Sequence, residues 1–187
     1  MATVSDPSVQ STGARPASNT APIMLVSNPN AGKTTLFNQI TGLRHKTSNY
    51  PGTTLDIRAG TIDVDGHSRI LYDMPGLYTL ESCSGEERVA VEALAGCVQG
   101  IETPGAILLV LDATNLVRNL YLASQILELG VPVVVALNMM DLADDAGSRV
   151  DIETLEAHLG CTVVPVIARR AEGIDKLLRA CGEAIEH

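Results

Sequence analysis

The chain has 187 residues, 45% apolar and 19% charged, the balance of one globular domain with a full hydrophobic core. With no Trp and one Phe that core is aliphatic, and a net charge of −9 repels phosphate backbones, arguing against nucleic acid or anionic lipid as the main partner. No apolar run approaches the roughly 20 residues of a membrane span, no leader-like apolar segment opens the chain, and Cys83, Cys97, Cys161 and Cys181 lack the spacing of a zinc site or disulfide frame.

Residues 1–22 are mostly Ser, Thr, Ala, Pro and Asn, too polar to order themselves, and are expected to be a disordered tail before one domain over 23–187. A short apolar strand, Ile23–Ser27, then runs through a glycine-containing loop into a predicted helix, Lys33–Thr41. Residues 43–54, rich in Thr, Ser, Asn, Pro and Gly, read as a polar loop. Two strands, 55–64 and His67–Asp73, flank Asp65-Gly66, a strong hairpin signal. Residues 86–98 place Val91, Leu94 and Val98 on one helical face. The unbroken apolar run Ala106–Asp112 predicts a strand covered on both sides. Leu116, Leu120, Ala123 and Leu127 form a helical stripe, followed by a buried strand over 131–138. A helix over 151–159, a strand over 162–166 and a terminal helix from about Gly173 complete the chain.

Strands alternating with helices imply an α/β domain: a mostly parallel six-stranded sheet with one antiparallel strand and helices on both faces. Ligands of such sheets sit beyond the carboxyl ends of the strands. Motifs follow the strands directly.

Ser27-Asn28-Pro29-Asn30-Ala31-Gly32-Lys33-Thr34 fits the P-loop pattern GxxxxGK[ST], with Ser27 in place of the first glycine. Backbone N–H groups of this loop and the helix N-terminus would wrap phosphates, Lys33 would bridge the β- and γ-phosphates, and the Thr34 hydroxyl would ligate Mg²⁺. Asp73-Met74-Pro75-Gly76 ends a strand about forty residues on; Asp73 can hold Mg²⁺ through water and the Gly76 N–H can reach the γ-phosphate. Asn138-Met139-Met140-Asp141 follows another strand, and the Asp141 carboxylate can accept from guanine N1–H and the 2-amino group, donors that adenine lacks there. Ala168, at the end of the last strand, offers a backbone N–H to guanine O6. Thr53 and Thr54, in the 43–54 loop, are both candidates for a second Mg²⁺-ligating hydroxyl. Any one of these motifs alone is compatible with an ordinary turn or cap. Together, in order and at strand ends, they point to a P-loop NTPase of the Ras-like G-domain type that binds guanine nucleotide with Mg²⁺.

Residues 28–38, Asn49-Tyr50-Pro51-Gly52-Thr53-Thr54, Asp73-Met74-Pro75-Gly76-Leu77-Tyr78-Thr79-Leu80, Asp112-Ala113-Thr114-Asn115-Leu116 and Ala136-Leu137-Asn138-Met139-Met140-Asp141 closely resemble the cytoplasmic G domain of the bacterial ferrous-iron transporter FeoB family. The resemblance spans nearly all of residues 23–175. It implies a GTPase that switches shape with nucleotide state and regulates ferrous iron uptake across the inner membrane. It implies nucleotide contacts across Asn28, Pro29, Asn30, Ala31, Gly32, Lys33, Thr34 and Thr35, and at Asn138, Met139, Asp141 and Ala168. It further implies that Thr54, ahead of Thr53, ligates Mg²⁺ beside Thr34 and Asp73, and that Asn30 ligates an activating K⁺. Lys33, Thr54, Gly76 and Asn30 are then the groups that act on the transferring phosphoryl. Leu77 takes the place of the Ras-type glutamine, so water must be oriented by other groups; Glu86 and Glu87 are possible helpers. Ile167 stands where a serine precedes the base-contacting alanine. Family members also carry a helical regulatory domain and a transmembrane permease domain, so the chain is expected to be a soluble piece working at the cytoplasmic membrane face, partnered by that permease domain and able to form an oligomer through it. Two other readings are a nucleotide switch with negligible turnover and a ribosome-assembly or tRNA-modifying GTPase; the acidic charge counts against the second.

Overall fold

The computed structural model describes residues 21–49, 56–81, 85–98 and 100–186. Its strands are β1 (Ile23–Ser27), β2 (His45–Asn49), β3 (Asp56–Val64), β4 (His67–Asp73), β5 (Ala106–Asp112), β6 (Val133–Asn138) and β7 (Thr162–Pro165). Helices are α1 (Lys33–Thr41), α2 (Gly85–Leu94), α3 (Leu116–Leu127), α4 (Met140–Asp145), α5 (Ile152–Leu159) and α6 (Ile174–Glu186). The strands form one sheet in the order β2-β3-β4-β1-β5-β6-β7. β4, β1, β5, β6 and β7 pair in parallel, and β3 runs antiparallel to both of its neighbours. The expected α/β architecture with one antiparallel strand is thus present.

The central strands are apolar throughout because helices cover both faces. Met24, Val26, Ile107, Leu109 and Leu111 point to the face where Val89, Ala93, Leu122, Ile126 and Leu155 of α2, α3 and α5 pack. Ile23, Leu25, Leu108 and Val110 point the other way, onto Leu36, Phe37, Leu177, Cys181 and Ile185 of α1 and α6. Each large apolar side chain buried this way contributes about 1.5–3 kcal/mol. α5 starts where the Asp151 carboxylate accepts from the Thr154 N–H at 3.1 Å, an N-cap, and it stops at left-handed Gly160.

The sheet has seven strands rather than the expected six, because His45–Asn49, read in sequence as loop, pairs with β3. β2 lies at the sheet edge and is held by its backbone, so it needs neither apolar alternation nor an unbroken apolar run, the signals by which the other strands were read. α2 ends at Leu94, not 98: a turn closes there, with left-handed Gly96 and the Cys97 N–H donating to the Glu92 carbonyl at 2.8 Å. α4 was not expected as a separate helix. Ala21 and Pro22, read in sequence as part of the tail, pack on the domain: Ala21 is buried, its carbonyl accepts from Arg69 Nη1 at 3.2 Å, and the Pro22 carbonyl accepts from the Gly105 N–H at 2.9 Å. Residues 1–20 lie outside the described residues. Among the described residues no helix is long and apolar enough to cross a membrane.

Asp65 and Gly66, both at positive φ (52° and 81°), make the two-residue turn between β3 and β4. This turn rests on α6 at Gly182, where an added Cβ would come within 2.0 Å of Asp65 Oδ2.

Candidate functional site

Four loops meet beyond the carboxyl ends of β1, β4, β6 and β7. Ser27 lies inside β1, outside the left-handed region, and its hydroxyl donates to the Asn28 carbonyl at 2.8 Å, so the glycine of the usual pattern is not required there. Asn30 (φ 70°) and Gly32 (φ 87°) are left-handed, which curls the loop and turns successive N–H groups toward one side. α1 begins on Gly32 with no side-chain cap, so its first N–H groups have no such acceptor and present partial positive charge. That is the geometry of an anion site. Gly32 is required twice over: its φ is left-handed, and a Cβ would fall 2.3 Å from Asn138 Nδ2. Asn28 is buried with both amide atoms lacking a partner, a polar group that a bound ion or water would complete.

Lys33 Nζ pairs with Asp73 Oδ1, the two side chains being 13% and 8% exposed. The pair brings the P-loop cation and the β4 carboxylate to one point. After Asp73 the chain stays alongside β1, with the Met74 N–H on the Leu25 carbonyl (3.1 Å) and the Leu77 N–H on the Ser27 carbonyl (2.9 Å). Gly76 lies against Pro29, whose Cγ would meet an added Cβ at 3.2 Å. Leu77 is fully buried in the core, so its side chain cannot orient a water. Thr34 and Thr35 are exposed on the first turn of α1, and Asn30 is exposed on the loop. Thr34 and Asp73 offer oxygen donors of the hard type that suits Mg²⁺. Among the described residues, no group of three or more His, Cys, Asp and Glu could hold a metal ion.

On the other side Asn138, 3% exposed, fastens two loops together. Its Nδ2 donates to the Ala31 carbonyl at 3.0 Å, and its Oδ1 accepts from the Ala168 N–H at 3.0 Å. The Ala168 N–H, expected to face guanine O6, is the donor in this bond to Asn138. Met139 follows in the left-handed region (φ 63°) and starts α4, which presents Asp141 from its first turn. Asp141 Oδ2 accepts from Arg169 Nη2, and Arg170 Nη2 lies 4.0 Å from the same oxygen. Sequence reading missed the two arginines; consecutive basic residues just after Ala168 were the available signal.

Asn28 through Thr35, Asp73, Gly76, Asn138, Met139, Asp141 and Ala168 thus lie on strand ends, loops and first helical turns at one end of the sheet. Thr53 and Thr54 lie outside the described residues, as does the Glu86 side chain; Glu87 lies half-buried on α2. The Asp112–Leu116 segment has an evident structural role: Asp112 Oδ1 accepts from the Thr114 N–H (2.8 Å), while Asn119 Oδ1 accepts from the Asp112 N–H (3.2 Å).

Residues 21–181 match the family described as ferrous iron transport protein B. The chain is 42% identical over 156 residues to the Fe(2+) transporter FeoB of Shigella flexneri, covering 83% of this chain and 20% of that protein. It therefore spans about a fifth of the length of the curated relatives it matches. The G-domain of FeoB from Methanococcus jannaschii superposes with a TM-score of 0.76 at 35% identity, covering 90% of this chain and 99% of that one. A mutant of S. thermophilus NFeoB bound to GDP gives 0.79 at 38% identity, covering 88% of this chain and 62% of that one.

Proposed function

We propose that this chain, which belongs to the ferrous iron transport protein B family, is a GTP-binding switch and slow GTPase whose nucleotide state regulates ferrous iron uptake through a transmembrane permease domain of the same protein. The observation that carries this reading is the Asn138 bridge from the P-loop carbonyl of Ala31 to the Ala168 N–H. It holds the phosphate-binding loop at a fixed distance from Asp141, the group that reads guanine, so one ligand spans both. The likeness to a GDP-bound relative supports the same assignment.

In this reading the N–H groups at 28–35 wrap the phosphates, and Lys33 leaves Asp73 to lie along the β- and γ-phosphates. Asp141 accepts from guanine N1–H and the 2-amino group, which excludes adenine. The Gly76 N–H takes a γ-phosphate oxygen, and its place against Pro29 ties that contact to the P-loop. Thr34, Thr54 and Asp73 would hold Mg²⁺, which would supply charge neutralisation at the phosphates, and Asn30 would hold K⁺, which would supply positive charge where phosphoryl transfer develops negative charge. With Leu77 buried, no side chain at that position helps the water, and turnover is slow, on the order of 10⁻⁴–10⁻² s⁻¹. The same burial favours a second reading, a switch with negligible turnover. The protein works at the cytoplasmic face of the bacterial inner membrane.

The test is GTP hydrolysis in KCl against NaCl at equal ionic strength, with ATP as control. Faster turnover in K⁺, lost in Asn30→Ala and with ATP inert, is the expected result. Turnover indifferent to K⁺ removes the Asn30 role, and tight GTP binding without turnover selects the second reading.

A further inference from the structure

The base-reading carboxylate has an internal occupant. Asp141 is 10% exposed, and its Oδ2 is held by the Arg169 guanidinium, with Arg170 at 4.0 Å. Both arginines follow Ala168 on the loop after β7, and both side chains are 55% exposed, reaching in from the solvent side. Guanine presents N1–H and its 2-amino group as a parallel pair of donors, which needs both carboxylate oxygens at once. A guanidinium is also a planar fork of N–H donors and seeks the same two oxygens. Arg169 and guanine therefore ask for one acceptor surface. Arg170 has an alternative partner, Glu172 Oε1 at 3.8 Å from its Nη1, whereas Asp141 is the acidic group that Arg169 contacts among the described residues.

We propose that Arg169 is a displaceable occupant of the guanine-reading carboxylate: it neutralises Asp141 when no base is present, is displaced by the incoming base, and re-forms its pair as the base leaves. This rests on the guanine-reading role of Asp141 given above. The residue thereby tunes affinity and release without adding to base selection, because it competes equally against any base that seeks Asp141. An ion pair whose cation is half-exposed is worth little, and breaking it costs a factor of about 1.5 to 5 in affinity. That is small enough to be overcome by two charge-assisted hydrogen bonds and large enough to hasten release.

The test is a double-mutant cycle read by equilibrium GDP titration, with Arg169→Ala made in the native chain and in Asp141→Asn. In the native background the substitution should tighten GDP by about 1.5- to 5-fold, mostly through slower release, and Arg169→Ala/Arg170→Ala should tighten it at least as far. In the Asp141→Asn background, where the guanidinium no longer meets a carboxylate, Arg169→Ala should not tighten GDP. Weaker GDP binding in the single variant overturns the proposal, since Arg169 would then support the bound state. Equal tightening in both backgrounds also overturns it, since the effect would not pass through Asp141. Failure of the underlying reading shows separately: Asp141→Asn would keep full preference for GDP over ADP.

Discussion

Asn138→Ala is the most informative substitution because it separates bracing from ligand reading. The side chain is 3% exposed and makes one bond to the Ala31 carbonyl and one from the Ala168 N–H, each at 3.0 Å. Ala31 and Ala168 are themselves 2% exposed, so truncation strands an acceptor and a donor away from water. Each stranded group costs about 1–3 kcal/mol, and a water entering the space left by the amide favours the lower end. The sum is about 2–5 kcal/mol, a large share of the roughly 5–15 kcal/mol that a domain has. At about 2–4 °C per kcal/mol for a chain of this length, the nucleotide-free protein should melt about 4–20 °C lower. GDP affinity should fall with it, because the P-loop and the Asp141 loop lose their fixed spacing. Asn138→Asp should do no better: it keeps an acceptor for Ala168 but sets a carboxylate oxygen against the Ala31 carbonyl. The assay is thermal unfolding monitored by circular dichroism without nucleotide, paired with a GDP titration. A variant melting within about 1 °C of the native chain while losing GDP would refute the reasoning and make Asn138 a ligand contact instead.

Three other substitutions follow from the same geometry. Gly32→Ala forces a side chain into the left-handed region, costing about 1–2 kcal/mol, and drives a Cβ into Asn138 Nδ2; both the melting temperature and GDP binding should drop, and retention of either counts against the cradle. Leu77→Gln should not accelerate single-turnover GTP hydrolysis, because the site is fully buried and faces the core; it should instead destabilise by about 1–3 kcal/mol by burying an amide, and a faster enzyme would show that the side chain can swing out. The Cys181 thiol is pushed up to about 12 by burial, and Cys161 to about 11 by burial and then by the charge of Glu156. Both folded values lie above the ordinary 9.0, so the stability they carry is present below pH 9 and is lost as pH rises toward 11 and 12. Unfolding midpoints should fall above pH 9, less steeply in Cys161→Ala, and alkylation at pH 8 should label exposed Cys97 before Cys161 and Cys181.

Much of this was legible in the residues because the signals were local. The unbroken apolar runs of β5 and β6, the Asp65-Gly66 turn and the Leu116–Leu127 stripe each state their own conformation. The P-loop and Asp141 were legible because their chemistry depends on residue type at a fixed spacing. What escaped depended on partners distant in sequence. β2 is polar and edge-bound, so only its pairing with β3 makes it a strand. Asn138 could be named from its motif, but its work as a tie to Ala31 and Ala168, 107 and 30 residues away, required the fold. The arginines beside Asp141 lay 28 and 29 positions downstream, with no periodicity to join them.

The seat of Asp65 on Gly182 also sets how the sheet's outer arm can respond to events at the phosphates. With a notch the size of one missing methyl, the β3–β4 turn fits α6 in a single register, and a slip by one residue would lift the Asp65 carboxylate onto helix backbone. β3 is thereby pinned at its far end and β4 is pinned by β1. The polar edge strand β2 has a sheet partner on one side alone, β3, so loss of that pairing leaves both core layers intact. In mechanical terms this side of the sheet is a clamped plate whose margin is β2.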